Sequence, residues 1–190
     1  KALSSYGHNI IFGFVDLRSI RRFRKFGFEK FEKDGILHYG INIPLGRFPR
    51  GILSFFGYHG LKLLYKKIEK EIGKPDLMHA HFTGTAYSAA KLKKINELPL
   101  IITEHSSKIM SDNTDKKIYQ MADFAYNQAD KIISVSPTFK EIIKNKFNKK
   151  SIYIPNIVDT DIFQYNPAKK KDNDEFNFVS VGNLIKHKRM

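Results

Sequence analysis

Residues 75–107, PDLMHAHFTGTAYSAAKLKKINELPLIITEHSS, constrain the fold more tightly than any other part of the chain. A short apolar run at 77–80 reads as a strand and ends in His79 and His81. Small residues and lysines at 85–95 read as a helix, and a second apolar run at 100–103 ends in Glu104 and His105. Strand, helix, strand is the crossover unit of a parallel sheet. In such sheets ligands bind outside the carboxyl ends of the strands, and polar residues gather there at both strands.

The same alternation extends in both directions. Residues 2–6 read as the last turn of a helix closed by Gly7. Strands are expected at 9–15 and 35–43. Residues 52–72 read as a helix, with Leu61, Leu64, Tyr65, Ile68 and Ile72 on one face and lysines on the other, stopped by Gly73 and Pro75. A polar loop at 106–113 precedes a helix at 115–129 and a strand at 131–135. Ser136 then caps a helix with Pro137 in its first turn, running to about residue 147. A short strand at 152–154, a polar segment and a last strand at 176–181 follow. The expected fold class is α/β, a Rossmann-like parallel sheet flanked by helices.

The length of 190 residues suits one full domain but not two ordinary ones. No apolar run approaches the ~20 residues of a membrane-spanning helix, and no stretch has the pattern of a secretory leader. The chain has no cysteine, which excludes disulfides and thiolate metal sites and fits a cytoplasmic location.

Basic residues outnumber acidic ones 33 to 19, a net charge of +14. A polyanionic partner would account for this: nucleic acid, an anionic membrane surface or a phosphorylated substrate. Lysine-rich solvated faces would account for it equally. The stretch 17–33 interleaves basic residues with Phe23, Phe26, Phe28 and Phe31. Within it Arg21, Arg22, Arg24 and Lys25 are candidates to meet an anionic membrane or acceptor. The alternative is a solvated loop whose phenylalanines pack on the core.

His79 and His81 are two apart and share one face of a strand. With Glu104 and His105 they could be read as a metal cluster, but the spacing is not that of a strong metal motif and no metal is expected. Thr83, Gly84 and Thr85 stand at a helix start, where free N–H groups can meet an anion or a hydroxyl.

PDLMHAH, PLIITEH, ADKIISVS, SIYIPNIVDTDIF and FNFVSVGNLIKHK occur in that order. The set, over 75–188, resembles the N-terminal half of a family 4 (group 1) glycosyltransferase of the GT-B type, and Gly7-His8 before a strand fits as well. The resemblance implies two Rossmann-like domains facing a cleft, with the nucleotide sugar mainly on the C-terminal one and the acceptor on the N-terminal one. It implies transfer with retention of configuration and no metal or other cofactor. Both ends of the chain read as cut. By the same analogy 1–163 would be the acceptor-side domain lacking its first strand, 164–175 a linker and 176–190 the start of the donor-binding domain. The fragment alone would be inactive.

Carried over by position, His105 would be the catalytic histidine, bonding a sugar hydroxyl as oxocarbenium-like charge develops. His81, Thr83, Gly84, Glu104 and Asn156 would bind substrate, and Gly182 and Lys188 would hold the donor diphosphate. The alternatives are that His81 is a core histidine bonded to a carbonyl, that Thr83, Gly84 and Thr85 only cap the helix, that Glu104 only orients its loop, and that Asn156, with Asp159, is a hinge residue at the domain junction. The chain departs from the family pattern at Ile157 and Arg189, where glycines are usual, and at Asn183, where arginine is usual. Phosphate binding then rests on Lys188, alone or with Lys186 or Arg189. The expected partners are a nucleotide sugar and a glycan or lipid-linked acceptor of bacterial surface polysaccharide synthesis, not nucleic acid. A cytoplasmic enzyme, peripheral at the inner face of the membrane, fits this reading. The competing readings are a basic nucleic-acid-binding domain and a GT-B nucleotide-sugar epimerase or phosphorylase.

Overall fold

The computed structural model describes residues 2–17, 23 and 25–164. The chain divides into two compact units, Lys1–Asn156 and Ile157–Met190. Expectations for Arg21, Arg22, Arg24, Gly182, Lys188 and the strand at 176–181 lie outside the described residues. In the second unit the Asp159 carboxylate accepts from the N–H groups of Asp161 and Ile162, a local turn.

The first unit opens with one helical turn, α1 (Ala2–Ser5), followed by Gly7 at φ 83°. Three strands come next: β1 (Ile11–Asp16), β2 (Gly27–Lys33) and β3 (Ile36–Asn42). The long helix α2 (Arg50–Glu71) leads into β4 (Met78–His81), α3 (Thr83–Asn96) and β5 (Leu100–Glu104). A single turn α4 (Ser107–Met110), α5 (Lys116–Gln128), β6 (Lys131–Ser134), α6 (Pro137–Phe147) and β7 (Ile152–Tyr153) complete it.

The helix starts follow their capping residues. Asp115 accepts from the N–H groups of Lys117 and Ile118 at α5, and Ser136 accepts from Phe139 N–H at α6, with Pro137 in the first turn. Such caps are each worth about 1 kcal/mol.

The strands form two sheets. One is fully parallel in the order β4-β5-β6-β7, with His81 opposite Thr103 and Glu104 opposite Ser134. The other has the order β1-β3-β2. β1 is parallel to β3, whereas β2 is antiparallel to it. The sequence reading had no strand at 27–33, so the expected wholly parallel sheet gains an antiparallel edge. Asp34 and Gly35, at φ 55° and 72°, make the tight turn between β2 and β3. This is the two-residue hairpin turn that favours Asp-Gly.

Helix α2 covers one face of the β1-β3-β2 sheet, where Tyr39, Ile41, Ile43 and Leu64 form a buried cluster. Gly60 permits the approach: a Cβ there would lie 2.9 Å from both Val15 Cγ1 and Ile43 Cδ1. On its other side α2 places Tyr65 against Leu92 and Leu98. The larger core surrounds β5, whose Leu100 and Ile102 are fully buried. Burying such a side chain gains roughly 1.5–3 kcal/mol. Helices α3 and α5 meet through the buried alanines 86, 89, 122 and 125, small residues that let two helices approach closely. The loop expected at 106–113 contains α4, pinned by the fully buried Ile109.

Candidate functional site

β4 and β5 run parallel and in register, so their carboxyl ends lie side by side. His81 ends β4, and His105 follows the last residue of β5. Their rings stack at 5.4 Å between centroids, with His81 Nδ1 3.2 Å from His105 Nε2. That bond occupies one nitrogen of each ring and leaves His81 Nε2 and His105 Nδ1 for other partners. His79 shares the face of His81, with ring centroids 4.4 Å apart, and its Nε2 lies 2.7 Å from Thr103 Oγ1. Partial desolvation at the strand ends holds His79 and His81, though both are exposed at the surface, below the ordinary imidazole range, and the neighbouring histidines add to the effect. Both rings are therefore neutral at pH 7 and can serve as donor and acceptor at once.

The turn from β4 into α3 is a single residue, Phe82, at φ 65° and ψ 148°. That region is used almost only by glycine and costs a side-chain-bearing residue on the order of 1–3 kcal/mol. The Phe82 N–H bonds Thr103 O, which fixes the turn to β5, and the Phe82 ring lies 5.0 Å from that of His105. Among the described residues no side chain caps α3; its first N–H groups lie near the exposed Gly84, and uncapped helix N–H groups can take up a ligand.

Glu104 is fully buried, and both of its oxygens are engaged. Oε2 accepts from the Thr83 hydroxyl at 2.8 Å and the Tyr126 hydroxyl at 3.0 Å. Oε1 accepts from the backbone N–H groups of His105 at 3.0 Å and Ser106 at 2.9 Å. Burial beside this carboxylate pushes the Tyr126 phenol well up. Thr83 and Glu104, both expected to touch substrate, thus turn their side chains to each other.

The loop after His105 is held from behind. Lys146 donates to Ile109 O, Ser111 O and Thr114 Oγ1 at 3.2, 2.6 and 2.7 Å. Asn156 is exposed at the end of the first unit, and Lys25 is exposed ahead of β2. Among the described residues no group of three His, Asp or Glu side chains is placed to hold a metal ion. Sequence reasoning missed Tyr126, Lys146 and the strained Phe82. A helical tyrosine among alanines carries no local mark of a partner 22 positions away.

A parallel sheet flanked by helices, with polar side chains converging past two adjacent strand ends, defines a Rossmann-like ligand-binding domain. The chain belongs to glycosyltransferase family 4: the family model, Glycosyltransferase Family 4, matches residues 12–162. Among solved structures it is similar to sucrose-phosphate synthase from Thermosynechococcus elongatus, with a TM-score of 0.63 and 16% identity over 81% of this chain and 39% of that one. A shorter chain of the same enzyme matches with a TM-score of 0.62 and 16% identity, covering 85% of this chain and 83% of that one. At this identity the likeness shows the fold. The chain spans 39% of the length of the first of these structures. No curated protein matches the sequence.

Proposed function

We propose that this chain is the acceptor-side part of a GT-B enzyme that moves a sugar, with retention of configuration, from a nucleotide-sugar donor to a glycan or lipid-linked acceptor in bacterial surface polysaccharide synthesis. The observation that carries this reading is the contact between His81 and His105 at the carboxyl ends of adjacent parallel strands, in a chain of glycosyltransferase family 4. His105 is the residue that meets the donor sugar: a neutral imidazole can bond a hydroxyl as positive charge develops at the anomeric carbon, without adding like charge. His81 sets which His105 nitrogen faces the ligand. The first N–H groups of α3, with Gly84, meet an acceptor hydroxyl or phosphate. Glu104 and Thr83 serve by orientation rather than by contact. Asn156 lies beside the division between the two units. Gly182 and Lys188 are assigned to the donor diphosphate, and the transfer needs no metal.

The proposed acceptor-side domain runs to residue 163 with a linker beyond it; the chain itself divides after Asn156.

An anionic membrane surface is the proposed second partner. No helix among the described residues is long and apolar enough to cross a membrane. Phe23 and Phe26, 97% and 61% exposed, follow β1, and in the sequence they stand next to Lys25 and three arginines. Exposed phenylalanines among cations suit a peripheral contact, with each cation worth about 1 kcal/mol near an anionic leaflet. Replacing Arg21, Arg22, Arg24 and Lys25 by glutamate would weaken sedimentation with phosphatidylglycerol vesicles; unchanged sedimentation would end the membrane reading.

The enzymatic reading is tested by incubating the full-length protein with UDP-, GDP- and ADP-sugars in EDTA and following nucleotide release. The anomeric coupling constant of the product is then read by proton NMR. Release from one donor with a retained anomer supports it; an inverted anomer contradicts the retaining mode.

A further inference from the structure

Two strand-end turns meet at the candidate site, and one carboxylate fastens both. Thr83 directly follows His81 and Phe82, the two ring neighbours of His105. Its hydroxyl reaches Glu104 Oε2. Ser106 and His105 present their N–H groups to Glu104 Oε1. Tyr126, from α5, supplies the remaining bond to Oε2. One oxygen therefore answers to helices α3 and α5, and the other to the turn that carries His105.

We infer that Tyr126 and Thr83 are positioning residues that set the His81–His105 contact through the Glu104 carboxylate. The inference rests on the proposed role of His105 for its catalytic consequence, though not for its geometry. A carboxylate is planar, so loss of a donor on Oε2 lets the group turn and moves the acceptor offered by Oε1. Glu104 has no exposed surface, so water does not simply replace a lost hydroxyl. A cluster that served only to join the helices would not need to engage the amides of His105 and Ser106.

The test uses the full-length enzyme with Tyr126→Phe and Thr83→Val, both close in shape to the parent residues. The readouts are the side-chain ¹⁵N resonances of His81 and His105 from pH 5 to 8, kcat and KM for nucleotide release, and Tm. The expected result is a changed titration of both rings and a kcat lowered roughly fivefold to tenfold, the equivalent of one hydrogen bond, with KM little changed. Glu104→Gln, which keeps the shape and can still accept both amides, should fall between the parent and Glu104→Ala. A lower Tm with unmoved histidine resonances and parental kcat would overturn the inference. If His105→Ala leaves nucleotide release intact while Tyr126→Phe moves the His105 resonances, the positioning stands and the catalytic reading of His105 falls.

Discussion

His81 and His105 lie 24 positions apart in sequence, yet their Nδ1 and Nε2 atoms are 3.2 Å apart at the ends of two parallel strands. A bond between two imidazoles needs one donor and one acceptor, so at least one ring of the pair is neutral.

The pH dependence follows. His79 and His81 are held below the ordinary value of 6.5 by partial desolvation and by neighbouring histidines. Below that value the unfolded chain takes up protons that the folded chain refuses, so stability is present above pH 6.5 and declines as pH falls beneath it. Thermal melts should show Tm dropping as pH falls below 6.5, with a smaller drop in His81→Gln. An identical profile in the variant would show that His81 is not a source of the effect.

Phe82 occupies backbone space that suits glycine. At most positions glycine is less stable than alanine by roughly 0.5–1 kcal/mol; here the order should reverse. Phe82→Gly is expected to be more stable than Phe82→Ala by about 1 kcal/mol, read from urea midpoints. An alanine variant as stable as the glycine one would remove the claim of strain.

Gly60 seats α2 on the first sheet. Alanine would improve helix propensity by up to about 1 kcal/mol, but its Cβ would press on Val15, whose branched side chain cannot swing away. Gly60→Ala should therefore destabilise by about 1–2 kcal/mol and Gly60→Val by more. Stabilisation by alanine would mean that the sheet yields easily.

Much of this was legible in the sequence, and the misses have definite causes. The strand ends at His81 and Glu104, the helix between them and the Ser136-Pro137 start were readable because each is encoded locally. The strand Gly27–Lys33 was not recognised, because Phe-Glu-Lys repeated twice lacks the period-two alternation that marks a strand. Asp34-Gly35 was the available signal. The turn α4 escaped because one isoleucine, Ile109, anchors an otherwise polar stretch. The sequence left Glu104 open between a substrate contact and a residue that orients its loop, and the tertiary placement of Thr83 and Tyr126 shows it turned inward, bonding the loop amides. The resemblance placed His105 but held no information about what orients it.

Glu71 joins α2 to the β2–β3 hairpin. It bonds Lys67, Tyr39 and Lys30, and these partners, Lys67 foremost, hold its carboxyl down to about 2. A lowered carboxylate pKa contributes stability above the unfolded value of 4.5, which is lost as pH falls from there through about 2. Acid titration of Glu71→Gln should show a shallower loss of stability across that window than the parent. The same slope in both proteins would contradict the assignment.

The central claim is that the paired strand ends serve sugar transfer through His105. The most direct measurement is single-turnover nucleotide release by the full-length enzyme, with its best donor and EDTA present, comparing the parent with His105→Ala and with His38→Ala as a control on the other sheet. Removing a group that acts in the transition state should lower the rate by on the order of a hundredfold, leave donor affinity within a few-fold and spare the control. A His105→Ala enzyme as fast as the parent would contradict the account.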